Sequence, residues 1–248
     1  LCTLGPTYCL VHFVLESASQ IDLWRLSDKR YQLLNQEQSG APVWQLDVAP
    51  EAVTPALNLL AQALRAQGQC GPWRDEQLAV CNARGERLGT IERGAVRVLG
   101  IATRAVHLVG LAPDGRMWVQ QRSQTKPNNP GMWDTLMGGM VSAADTLQQA
   151  LERETWEEAG LRLPALHGVE LGGQVDFSRP SREGGGVGYM VERIDWFRCT
   201  VPEGLEPRNQ DGEVERFELW HPAQVRERIA AADFTLEAAL VLGACCGL

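Results

Sequence analysis

The stretch that most constrains this chain runs from Leu147 to Leu161, "LQQALERETWEEAGL". A helix advances about 100° per residue, so Leu147, Ala150 and Leu151 share a face. Glu154, Glu157 and Glu158 fall in the same sector further along. Such a helix buries its first half and then loads that face with three carboxylates. Unpaired, these acids would repel, and each would cost several kcal/mol to desolvate. Two arrangements resolve the conflict. The second half can emerge into water, which is the usual outcome for an isolated E-x-x-E-E. Alternatively, hard divalent cations such as Mg²⁺, which take oxygen ligands, can sit against the acids. Ser142 with Asp145, or Asp145 with Gln148, offers a capping pair at the helix start, and Gly160 suits its end.

The bulk properties narrow the setting. At 248 residues the chain has room for one large domain or two smaller ones with a real core. A net charge of −8 argues against a nucleic-acid partner, which would require a basic face. It leaves room for a small phosphorylated ligand, which a few local basic residues can hold. The cysteines at 2, 9, 70, 81, 199, 245 and 246 are odd in number and contain no C-x-x-C pair. Reduced thiols are therefore expected, and not a disulfide framework or zinc ribbon. The histidines at 12, 107, 167 and 221 have no metal-ligand spacing and read as structural. The opening "LCTLGPTYCLVHFVLES" has no basic n-region and no run long enough to span a bilayer. It reads as a domain start, with a soluble cytoplasmic protein and no membrane partner as the default expectation.

Residues 50–67 predict a helix, with Thr54 as cap, Pro55 at the first position, Leu57, Leu60 and Leu64 on one face, and Gly68 at the end. Residues 77–93 predict two strands around a glycine-containing turn. Together these make a small α/β domain over 1–97, of unknown role, followed by a second domain over 98–248. In the second, 104–122 predicts a hairpin with Pro-Asp-Gly at its turn, and the polar loop "SQTKPNNPGMWD" leads through "TLMGGMV" into the acidic helix. Strands are expected at 187–200 and 214–220, and helices near 222–232 and 235–246, the last capped by Thr235. "SRPSREGGGVG" at 178–188 reads as a mobile glycine-rich loop. The pattern suggests an α+β fold or a three-layer α/β/α sandwich.

The residues around the acids bear on the choice between water and metal through a resemblance. Gly139, then Asp145, then "RETWEEAGL" from Arg153 to Leu161 resembles the Nudix box. In that motif a glycine is followed after five residues by Glu and after seven more by Arg-Glu. An aliphatic residue, any residue, Glu-Glu, any residue, Gly and an aliphatic residue complete it. Asp145 stands where the family has Glu, which shortens its reach, and Thr155 stands where it has an aliphatic residue. The resemblance implies a Nudix α/β/α sandwich with a mixed sheet over 98–248, with the box at 139–161. It also implies Mg²⁺ or Mn²⁺ on Glu154, Glu157 and Glu158, with the Gly138 carbonyl as a further ligand. Arg153 would hold a carboxylate of the box in place. One carboxylate must act as base on water, with Glu154 the first choice. Asp211, Glu213 or Asp145 would complete the site.

The likeness extends past the box. "HLVG", "WVQQRSQTKPNNPGMWD", "GGMV" and "DGEVERFELW", with a preceding α/β domain ending in "ERGAVRVLGIAT", resemble a Nudix subgroup that hydrolyses oxidised or damaged thiamine diphosphates. Related sequences occur fused to thiamine pyrophosphokinase or as plant Nudix proteins. The partner implied is a small-molecule diphosphate, cleaved to the monophosphate plus phosphate, and a homodimer is compatible with this. Arg122 and Lys126 are candidate phosphate contacts. Trp133 is either a loop anchor or a ring that stacks on substrate, and Trp156 is expected to pack on a neighbouring element. Three other readings keep the fold: an ADP-ribose or nucleotide pyrophosphatase, an enzyme like isopentenyl-diphosphate isomerase with Cys199 as acid/base, and a non-catalytic nucleotide-binding protein.

Overall fold

The computed structural model describes residues 2–4, 9–13, 32–38, 41–181 and 188–247. The chain forms two compact units. One comprises 1–103, 142–144 and 177–192; the other comprises 104–141, 145–176 and 193–248.

In the first unit, β1 (Cys2–Leu4), β2 (Cys9–Phe13), β3 (Gln32–Gln38) and β4 (Ala41–Val48) form a sheet in the order β1-β2-β4-β3. Helix α1 (Val53–Ala66) buries Val53, Ala56, Leu57, Leu60, Ala61 and Leu64, a stripe of helical period. It starts without a side-chain cap. The expected cap, Thr54, instead accepts the Thr90 N–H through Oγ1 at 3.0 Å. That bond ties the helix to the hairpin of β5 (Gln77–Cys81) and β6 (Arg87–Glu92). A side chain at Gly89 would lie 2.8 Å from Val53 Cγ1, so helix and strand meet there through the missing Cβ.

The chain continues with β7 (Ala102–Leu111) and β8 (Met117–Arg122), joined by the expected turn, where Gly115 takes φ +84°. Then come β9 (Trp133–Asp134), β10 (Met137–Met140), α2 (Leu147–Ala159), β11 (His167–Ser181), β12 (Gly188–Thr200), β13 (Val214–Trp220), α3 (Pro222–Ala230) and α4 (Leu236–Cys246). Their sheet runs β11-β12-β7-β8-β13, with β10 added on β7 and β9 on β8. Pairing is antiparallel along β7, β8 and β13, with a parallel bridge from Trp133 to Phe234.

Strand alternation sorts the two faces. Trp118, Phe217, Leu147 and Val141 pack on the cluster of Val106, Leu108, Leu136, Ala150, Leu151 and Leu161 that lies beneath α2. On the opposite face Trp220 packs at a tilt against Trp133 (centroids 4.3 Å apart) and meets Phe234 edge-on at 5.9 Å, beside α4. Helices thus cover both faces, as expected of the α/β class with a mixed sheet.

Several local expectations change. Helix α2 is capped by Thr146, whose hydroxyl accepts from Gln149 N–H while the Gln149 side chain accepts from Thr146 N–H. The cap is therefore the residue after Asp145, whose side chain is free to turn elsewhere. Gly160 ends it at φ +63°, as anticipated. Residues 178–181 belong to β11 and not to a loop; 182–187 lie outside the described residues. Most of the chain start up to residue 17 also lies outside them, apart from β1 and β2. Among the described residues no helix is long and apolar enough to cross a membrane.

Candidate active site

Two glycines on β10 make room for the acids of α2. A Cβ on Gly139 would lie 2.1 Å from Glu154 Cδ, so the Glu154 carboxylate rests directly against the strand backbone. Gly138 packs against the buried His107 ring, 2.5 Å from a would-be Cβ, and its N–H donates to Glu158 Oε2 at 3.0 Å. Thr135 Oγ1 donates to the Met137 carbonyl (2.8 Å) and so accepts from His107 Nδ1 (2.9 Å), which assigns the ring tautomer. His107 thus supports the backbone that holds Glu158.

The three acids grade from interior to water. The Glu158, Glu154 and Glu157 side chains are 3%, 12% and 42% exposed. Burial pushes the Glu154 carboxyl up to about 8; the nearby Glu158 adds to this and Arg153 opposes it. Burial also raises Glu158, against the pull of Lys126, the Gly138 N–H and Gln120.

Arg153 folds back along the helix. Its Nε and Nη2 donate to Asp145 Oδ2 at 3.0 and 2.9 Å, and its Nη1 donates to Glu154 Oε1 at 2.9 Å and Glu157 Oε2 at 3.1 Å. Burial works against the Arg153 charge, but Glu154 and Asp145 outweigh it and hold the guanidinium protonated. Lys126 Nζ lies 3.6 Å from Glu158 Oε1 and pairs with Glu213. These two cations occupy the carboxylates. No three acidic, histidine or cysteine side chains among the described residues converge as a ready metal cage. The donor set nevertheless suits a hard cation. It is all oxygen and partly buried. Beside it the buried Oε1 of Gln120 has no partner, while its Nε2 donates to Glu158 at 2.8 Å.

Residues 102–240 match the NUDIX domain family, more than half of the chain. The chain belongs to the Nudix family. Nudix hydrolase 20, chloroplastic, of Arabidopsis thaliana is 31% identical over 150 residues, which are 58% of this chain and 38% of that one. Nudix hydrolase 24, chloroplastic, of the same plant is 29% identical over 58% of this chain and 40% of its own length. The chain therefore spans about two fifths of these relatives. A solved structure from Deinococcus radiodurans covers 67% of this chain and 97% of its own, at 24% identity and a TM-score of 0.49.

This Nudix domain brings together Glu154, Glu157, Glu158, Arg153, Gly138, Lys126 and Glu213. Asp145 faces Arg153 and its reach ends there. Asp211 sits beside the group: its Oδ1 accepts the Glu213 N–H at 2.8 Å, and burial raises its carboxyl. Arg122 is engaged by Asp134 at 3.4 Å and the Asn128 carbonyl at 3.1 Å. Trp133 lies in the aromatic cluster on the far face of the sheet. Trp156 is 36% exposed and carries the Arg162 guanidinium 3.7 Å above its ring, where packing on a neighbouring element was expected. Cys199 is part of the apolar core, where burial pushes its thiol up to about 12, so it is not placed to exchange protons with a ligand at the acids. Sequence reasoning missed Gln120; His107, read as structural, is buried and supports the backbone beside the acids. For Gln120 the signal was available: Trp118, Gln120 and Arg122 alternate toward one face of a strand.

Proposed function

We propose that this Nudix protein is a divalent-metal-dependent hydrolase that cleaves the phosphoanhydride bond of a diphosphate carried on a small organic group. The observation that carries this reading is the buried acid face of α2 set against the Gly138-Gly139 backbone. That arrangement has little structural value by itself, because it concentrates desolvated like charges. Glu154, Glu157 and Glu158, with the Gly138 carbonyl, would hold Mg²⁺ or Mn²⁺. Bound there, the metal would neutralise phosphate charge and lower the pKa of an attacking water. The protein's own parts do the rest. Arg153 fixes the orientation of Glu154 and Glu157, Gln120 and Gly138 N–H fix Glu158, and Glu154 is assigned as the base that takes the water proton. Lys126 meets the phosphate chain, and Glu213 and Asp211 border the site.

For the organic half we propose a damaged thiamine diphosphate, cleaved to the monophosphate and inorganic phosphate. Support comes from the resemblance of "WVQQRSQTKPNNPGMWD", "GGMV" and "DGEVERFELW" to the subgroup described above. A site with buried polar groups can discriminate strongly against a changed hydrogen-bonding edge. The test is side-by-side kinetics at fixed Mg²⁺. Oxothiamine or oxythiamine diphosphate is expected to show a higher kcat/KM than thiamine diphosphate, with ADP-ribose and nucleoside triphosphates poorer still. A preference for ADP-ribose or a dinucleotide would remove the thiamine assignment and leave the diphosphate hydrolase.

A further inference from the structure

The chain has 23 basic residues, and only Lys29 and Lys126 are lysines. Everywhere else among the described ion pairs the cation that meets a carboxylate is an arginine or a histidine. At the acidic site it is Lys126. The difference is physical. A guanidinium is a planar fork, whereas an ammonium is a compact point charge on a flexible stem and is held much as a small inorganic cation is held. The Lys126 side chain is 12% exposed, and its Nζ sits between Glu158 Oε1 at 3.6 Å and Glu213 Oε2. Both are hard oxygen donors.

The backbone around this lysine is anchored independently of its side chain. Lys126 N–H donates to the Ser123 carbonyl at 3.2 Å, and Ser123 N–H donates to the Glu213 carbonyl at 2.9 Å. The ammonium can therefore leave the carboxylates without moving the loop. Beside it, Gln120 is 1% exposed and its Oε1 has no partner, so the pocket holds an acceptor that the protein alone does not satisfy. A divalent ion on Glu158 and an ammonium on the same carboxylate would be a few ångströms apart in a poorly solvated pocket, where their repulsion is large.

We propose that Lys126 is a resident cation, occupying the Glu158–Glu213 pair while the metal is absent and displaced when a divalent ion binds Glu158. Displacement hands the tethered ammonium to the incoming diphosphate, so metal and substrate bind with positive coupling through one side chain. This rests on the metal-dependent reading above.

Two measurements test it. In the Lys29→Arg protein Lys126 is the sole lysine, and its acetylation by acetic anhydride can be followed by peptide mass. At matched ionic strength, saturating Mg²⁺ is expected to raise its acetylation rate at least fivefold over protein in chelator, because the ammonium no longer bridges two carboxylates. By calorimetry, Lys126→Met is expected to bind Mn²⁺ about tenfold more tightly than the natural protein, since no resident cation has to leave. If Lys126→Met does not fold, the labelling result decides alone. Metal binding with unchanged or slower acetylation overturns the displacement while leaving the hydrolase reading intact. Failure of the natural protein to bind Mn²⁺ at all overturns both.

Discussion

Glu158 is the residue on which most of the site converges. Its Oε2 accepts from Gln120 Nε2 and Gly138 N–H, and its Oε1 faces Lys126. Glu158→Gln keeps the shape and one acceptor but removes the charge, and it turns an amide donor toward Lys126. Turnover is expected to fall roughly a hundredfold or more. The circular dichroism spectrum should be retained, because one of several clustered like charges is gone. Full Mg²⁺-dependent activity in this variant would refute the three-acid site. The spacing of Glu154, Glu157 and Glu158 could be read from helix geometry alone. The partners of each could not. Asp145 was read as a possible metal or base residue, yet its short side chain ends at Arg153, a contact that depends on how far the loop before α2 turns.

At the scale of the element, α2 shows where local pattern suffices and where it does not. Thr155 occupies a position where the box has an aliphatic residue. It is fully buried, and its Oγ1 has no partner. A buried hydroxyl left unpaired is costly, whereas an isosteric methyl keeps the packing. Thr155→Val is therefore expected to stabilise the protein by about 1 kcal/mol, which for a chain of this size is roughly 2–4 °C in Tm. A calorimetric Tm at or below that of the natural protein would count against it. Helical period found α1 and α2, and the turn residues found the β7–β8 hairpin. The same reasoning expected no strand at β11 and read its end as a loop, because the serines, arginine and proline there favour one locally. Its pairing with β12 is decided by the sheet and not by the segment's own preference.

For the molecule as a whole, the buried acids link stability to pH and metal. Folded Glu154 titrates near 8, above its ordinary value of 4.5. The native state thus keeps a proton that the unfolded chain releases, and stability falls as pH rises through that window, levelling above about 8. Glu158, also raised, acts in the same sense. Metal competes with these protons, so the metal-free Tm should decline from about pH 5 to pH 8, and Mg²⁺ should raise Tm more at pH 8 than at pH 6. At a hundredfold excess over Kd the stabilisation is about 2.7 kcal/mol. Differential scanning calorimetry with and without chelator checks this; a Tm indifferent to both pH and Mg²⁺ would contradict the buried-carboxylate account. The sequence by itself determined the α/β class, the acidic helix and the identity of its three carboxylates, because periodicity and spacing along one helix are local properties. Only the tertiary structure decided that Gly139 gives way to Glu154, that Gln120 and Gly138 orient Glu158, and that Lys126 joins Glu158 to Glu213. Those contacts join segments 15 to 87 residues apart, and register and chain path, not any local preference, bring such segments within hydrogen-bonding distance.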